Sequence, residues 1–308
     1  MTLTGHVHLY VAFKRATGLS FKEPAQLLAD FASFAESRGE EFVGVETALA
    51  WACRSGSVKR KRDRLQLVRG LAVHLHVVDE RHEIPHRDAL GRALTYRPPP
   101  RLLSLAEIRR IMETAKDLPP AGTITPATFH CIIGLLAATG MRRSEATGLK
   151  LEDDTPDGLR IRAAKTGRSR LVPLHEGVRA ALDRYLQVRR QCGSADGHFF
   201  VLAHGGPLSP MYLTQTFIRL TRRLGLRGEP GEPGPRLHDL RHGFAVRALE
   251  GVVSGDRRQI GRHMLALSTY LGHSNAAGTY WYLEATPLLL HNVSAAAETL
   301  FQQRRADG

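Results

Sequence analysis

A chain of 308 residues and 34.0 kDa has room for about two domains at roughly 150 residues each, which excludes a peptide or a disulfide-stapled miniprotein. Apolar residues make up 43% and charged residues 24%, near globular averages; no apolar run reaches bilayer length and the amino terminus lacks a signal-peptide pattern, so a folded cytoplasmic protein without a membrane span is expected. The 43 basic residues outnumber 30 acidic ones, leaving +13 and a pI near 10.2, which points to a polyanionic partner, nucleic acid first.

Apolar residues at helical spacing run from Phe21 to Ser37 and from Glu46 to Cys53. From Val58 to Val78 an amphipathic helix is expected, its first half carrying Lys59, Arg60, Lys61, Arg62 and Arg64 and suited to lying along phosphates. His74, His76, His82 and His86 lack the spacing of metal ligands and read as solvated. The proline run Tyr96-Arg-Pro-Pro-Pro-Arg101 ends any helix, so residues 1–95 form one helical domain, 96–101 a linker and 102–308 a second domain.

The second domain opens on a capping box, Ser104-Leu-Ala-Glu107, that starts a helix reaching Ala115. Phe129 to Leu149 reads as an apolar helix broken at Thr139-Gly140 and restarted at Arg142. Residues 159–163 and 168–174 alternate around Thr166-Gly167 as a β-hairpin. Helices follow over Gly177–Arg190, Leu213–Leu224 and Leu237–Leu249, with a Gly- and Pro-rich loop at 225–235. The fold class is therefore mainly α with a small antiparallel β-sheet. Cys53, Cys131 and Cys192 are odd in number and widely spaced, which suggests neither disulfides nor zinc.

Four pieces of the second domain carry chemistry: Thr139-Gly-Met-Arg142-Arg143-Ser-Glu145, the hairpin lysine Lys165 followed by Arg168, His238-Asp-Leu-Arg241, and Leu271-Gly-His273 with Tyr282 nine residues on. Each is weak alone in so arginine-rich a chain. Their order and type resemble the tyrosine recombinase family, also called phage integrases, over about residues 100–290, with residues 1–95 matching the family's helical core-binding domain in pattern only.

The resemblance implies that Arg142, Lys165, His238, Arg241, His273 and Tyr282 are catalytic and that Glu145 supports them. Two planar guanidinium groups suit a phosphate that spreads negative charge over its oxygens, so neither metal nor other cofactor is expected. Tyr282 would be the nucleophile with His238 accepting its proton, Lys165 would protonate the departing 5′ oxygen, and His273 would orient the phosphate. The family's interval of nine selects Tyr282 over Tyr280. The product would be a 3′-phosphotyrosyl ester, religated without a nucleotide cofactor.

The resemblance further implies double-stranded DNA as partner and a tetramer on DNA, either of this chain alone or of this chain with sister recombinases. It implies integration, excision or transposition of a mobile element, in the cytoplasm and with the nucleoid when bound. Lys59, Arg60, Lys61, Arg62, Arg64, Arg143 and Arg168 are the expected DNA contacts. Two departures stand beside it: residues 250–265 are longer and more polar than the usual turn, implying an inserted loop or helix, and residues 288–301 form an amphipathic tail expected to pack on a neighbouring protomer. The rival readings are a type IB topoisomerase-like enzyme and a non-catalytic DNA-binding protein of the same fold.

Overall fold

A computed structural model of the chain describes residues 2–91, 101–162, 169–250 and 257–272. The chain divides into two compact units, Met1–Arg97 and Pro98–Gly308.

The first unit holds four helices among its described residues: α1 (Leu3–Ala16), α2 (Lys22–Glu36), α3 (Val45–Cys53) and α4 (Val58–His76). The last three fall where the apolar spacing places them. Helix α1 precedes them, capped by the Thr2 hydroxyl accepting from the Gly5 N–H at 3.2 Å, and it buries Leu3, Val7, Tyr10 and Val11 along one stripe. The core gathers around Trp51, fully buried, with Phe31 edge-on at 5.4 Å between ring centres. Trp51 Nε1 donates to Asp30 at 2.8 Å, so the indole donor is satisfied. Helix α4 turns Leu65, Val68, Leu71, Ala72 and Leu75 into this core.

The histidine reading needs correction at His82, and in part at His76, which is half-buried with its Nδ1 2.8 Å from the His82 carbonyl. His82 is buried: its Nδ1 accepts the Val43 N–H at 3.1 Å, and the rings of His6 and Phe42 stand edge-on to it at 5.3 and 5.2 Å. Accepting at Nδ1 places the proton on Nε2, which is buried without an acceptor among the described residues.

In the second unit, helix α5 (Leu105–Ala115) begins at the expected capping box, with Ser104 and Glu107 bonded reciprocally. Helix α6 (Ile124–Thr139) starts one turn earlier than Phe129, because Thr123 caps it and Pro126 is tolerated in a first turn, where its missing N–H costs nothing. Phe129, Ile132, Ile133, Leu135 and Leu136 bury α6 on nearly every side, as befits a central helix. Short helix α7 (Arg143–Thr147) follows.

A three-stranded antiparallel sheet comes next, ordered β1 (Asp154–Thr155), β2 (Gly158–Ile161), β3 (Arg170–Val172). Its register pairs Leu159 with Val172 and Ile161 with Arg170. Helix α8 (Glu176–Gln191) and α9 (Pro210–Arg223) precede α10 (Leu237–Glu250) and α11 (Arg257–Leu271). Helix α6 packs on α5, α8 and α10, and α10 on α11. The polar stretch after residue 250 is thus largely the helix α11. The tail at 288–301 lies outside the described residues.

Candidate active site

The end of α6 sets the first wall of the site. Gly140 closes the helix at φ +61°, the left-handed conformation that glycine adopts at least cost. A β-carbon there would also meet the Phe244 ring at 2.5 Å. The chain turns through buried Met141 and places Arg142 as the residue that begins α7. Glu145, one turn on, accepts the Arg142 backbone N–H at 2.8 Å and its Nη1 at 2.9 Å, so one carboxylate both caps the helix and holds the side chain.

The first turn of α10 makes the second wall. Buried Asp239 accepts the Arg236 backbone N–H at 2.8 Å and caps the helix start. This fixes His238 and Arg241, three apart and on one helix face. His238 packs against the His242 ring at 4.4 Å and keeps a solvent-exposed edge. Desolvation of the remainder of its ring, together with the cations Arg241, Arg236 and Arg142, lowers its proton affinity below the usual histidine value against the opposing pull of Asp239. A neutral imidazole is what a proton acceptor requires.

Arg241 is 2% exposed, and a charge so buried must be hydrogen-bonded. Its Nη1 donates to the Gly140 carbonyl at 2.8 Å and its Nη2 to the Leu271 carbonyl at 2.7 Å. Arg142 Nη2 donates to the next carbonyl, that of Gly272, at 2.7 Å. Two guanidinium groups thus converge on consecutive carbonyls at the C-terminal end of α11, where a helix has unsatisfied acceptors and a negative dipole end. Gly272 sits at φ +65°, and a β-carbon there would touch the Arg142 and Arg170 guanidinium groups at 3.4 Å.

Arg170 is the member that sequence reasoning missed. From β3 its Nη1 and Nη2 donate to the two oxygens of Glu145 at 2.9 and 2.7 Å, a bidentate pair. Burial alone would raise the Glu145 pKa, but hydrogen bonds from Arg170 and Arg142 override it and hold the carboxyl at about 2. Nearby, burial pushes the Tyr270 phenol up to about 12 despite the pull of Arg170 and Arg241, which keeps it neutral.

Of the expected site residues, the fold therefore gathers Arg142, Glu145, His238 and Arg241. Lys165, Arg168, His273 and Tyr282 lie outside the described residues. Arg143 is exposed at the surface and donates to Thr214 of α9 at 2.8 Å. In the first unit, Lys59 and Arg60 are exposed, Lys59 paired with Asp63 at 2.6 Å, while Lys61 is half-buried. Arg62 donates to the Leu90 carbonyl at 3.4 Å, and Arg64 stacks over Trp51 at 4.6 Å and reaches Asp30 at 3.9 Å. Arg64 thus contributes to the core's edge as well as to surface charge. Among the described residues no group of three acids, histidines or cysteines is arranged to hold a metal ion.

The chain resembles known proteins along nearly all its length. The phage integrase family matches residues 101–287. An integrase/recombinase of Sinorhizobium fredii, y4rB, is 36% identical over 97% of this chain and 98% of the relative. Among solved structures, the Tn1549 transposon integrase in complex with transposon right-end DNA matches with a TM-score of 0.68 at 19% identity, covering 97% of this chain and 99% of that one. A lambda integrase tetramer bound to a Holliday junction matches at 0.63 and 19% identity, over 90% of this chain and 78% of that one. At such identities the structural matches bear on fold alone.

Proposed function

The chain belongs to the phage integrase family of tyrosine recombinases, enzymes that cut and rejoin DNA at specific sites, and we propose which of its residues do so and on what partner. The observation that carries the assignment is the convergence of Arg142 and Arg241 on the carbonyls of Leu271 and Gly272, immediately before His273 in the chain. In the proposed reaction both guanidinium groups bind the non-bridging oxygens of a scissile phosphate, exchanging these carbonyl contacts for charge-assisted ones.

The Tyr282 hydroxyl attacks phosphorus and passes its proton to His238, which partial burial and the surrounding cations keep neutral and ready to accept it. The P–O5′ bond breaks, and the leaving oxygen takes a proton from Lys165 while His273 orients the phosphate. A 3′-phosphotyrosyl ester and a free 5′-hydroxyl result. The ester conserves the bond energy, so a 5′-hydroxyl from a second strand reverses the step and completes strand exchange with no cofactor.

The partner is duplex DNA, with Lys59, Arg60, Lys61, Arg62, Arg64, Arg143 and Arg168 contributing backbone affinity and the chain associated with the nucleoid when bound. Residues 1–95 act as the helical core-binding domain, 96–101 as its linker and 102–308 as the catalytic domain. Neighbours of similar fold are an integrase on transposon-end DNA and an integrase tetramer on a Holliday junction, which supports a mobile element as context and a tetramer as working assembly. No helix among the described residues is long and apolar enough to cross a membrane.

The test is covalent capture from a pool of nicked suicide duplexes with randomised arms, without metal or nucleotide. DNA recovered bound to denatured protein and sharing one sequence supports a site-specific recombinase. Adducts without sequence preference would favour the topoisomerase-like reading. Tight binding without any adduct would favour a non-catalytic DNA-binding protein.

A further inference from the structure

Strand β3 carries its residues the wrong way round for a half-buried strand. Arg170 and Val172 face inward, opposite Ile161 and Leu159 of β2, while Leu171 between them is 45% exposed. An arginine on the inward face of a sheet is costly unless it meets an anion there. The anion is Glu145, whose side chain is 5% exposed and which sits on a different element, 25 residues earlier. Both Nη groups of Arg170 serve that carboxylate, and its Nε is buried without an acceptor among the described residues. The guanidinium is thus turned inward toward one partner.

Glu145 is shared. One of its oxygens accepts from Arg142 Nη1 and Arg170 Nη1, both at 2.9 Å, and the other from the Arg142 N–H and Arg170 Nη2. The carboxylate's capacity is therefore divided between two cations, and the cluster keeps one net positive charge. Were Arg170 absent, a buried anion would face a single guanidinium, and the two would close into their own bidentate pair. Arg142 would then be drawn from the Gly272 carbonyl, the place where the proposed phosphate contact forms.

We propose that Arg170 is a positioning residue for strand cleavage: by occupying Glu145 it leaves Arg142 directed at the scissile phosphate. The inference rests on the reading of Arg142 given above. It concerns a residue that touches neither substrate nor the reacting atoms, and acts through Glu145 on Arg142.

The experiment compares wild type with Arg170→Met, Arg170→Lys and the double variant Glu145→Gln/Arg170→Met. The probe is the suicide duplex recovered by wild-type capture, at saturating protein, and the readout is the single-turnover rate of adduct formation, with DNA affinity and melting temperature measured in parallel. Misplacement of one clamping group by an ångström costs on the order of 100-fold. The expected results are a loss of roughly that size for Arg170→Met with DNA affinity within about 3-fold of wild type, recovery to within about 10-fold for Arg170→Lys, and a double variant faster than Arg170→Met because no unpaired carboxylate remains to seize Arg142. Should Arg170→Met fail to fold, the lysine and double variants carry the comparison.

Three results would overturn the proposal: equal losses for methionine and lysine, a rate that falls only with the folded fraction, or losses in the double variant that simply multiply. A wild type that gives no adduct with any duplex overturns the reading of the site, and this inference with it.

Discussion

Replacing Glu145 by glutamine removes the one anion between Arg142 and Arg170 while keeping its shape. The carboxyl's displacement from 4.5 to about 2 corresponds to roughly 3 kcal/mol of preferential stabilisation of the folded state, at ~1.36 kcal/mol per tenfold change. The residue is almost fully buried, so little of this is lost to solvent screening, and the figure agrees with the ~3–5 kcal/mol measured when one partner of a buried pair is removed. The sign follows from linkage: a depressed folded-state pKa stabilises fully above the unfolded value and is lost as pH falls through it toward the folded one. Between pH 7 and pH 3.5 about 1 kcal/mol of the Glu145 contribution should disappear.

The assay is urea unfolding followed by hydrogen exchange of the α6 amides, which report on the second unit, for wild type and Glu145→Gln at both pH values. The variant should be less stable by about 3 kcal/mol at pH 7, with the gap narrowing by about 1 kcal/mol at pH 3.5. A difference under about 1 kcal/mol at pH 7, or one that does not change with pH, would refute the assignment of Glu145 as the paired anion of this cluster.

Two further outcomes follow from the first unit. Burial, with the cations around it, lowers the proton affinity of His82 below its usual 6.5, so the unfolded chain binds the proton first and the unit loses stability as pH drops below about 6.5; melting curves at pH 7.5 and 5 should show that loss in wild type and a smaller one in His82→Gln, and parallel curves would contradict it. Substituting the exposed pair Lys59→Gln and Arg60→Gln should make the slope of log affinity against log salt shallower by about 2; an unchanged slope would remove this face of α4 from the DNA contact surface.

What could be read from the sequence was local. Arg142 and Glu145 share one turn, as do His238 and Arg241, so their spacing already expressed their geometry. The capping box at Ser104 and the core stripe of α4 were legible for the same reason. Helix α1 also carried its signal, with Leu3, Val7, Tyr10 and Val11 at helical intervals behind a capping threonine.

Arg170 was not legible: nothing near it in the chain distinguishes it from Arg168, and its meaning depends on strand register and on a carboxylate 25 residues away. His82 was hidden likewise, because its burial is made by Val43, Phe42 and His6, all about 40 residues or more distant. Arg241 depends on the fold in the same way, since its two carbonyl partners lie 101 and 30 residues off. Motif order told which residues belong together, and only packing told what holds them.

The central claim is that Tyr282 becomes joined to DNA. The direct measurement is mass spectrometry of the captured adduct after nuclease and protease digestion, run beside Tyr282→Phe. A nucleotide phosphate on the peptide containing Tyr282, absent from the phenylalanine variant, is the expected result. A modification on Tyr280 or another residue, or undiminished adduct from the variant, would contradict it.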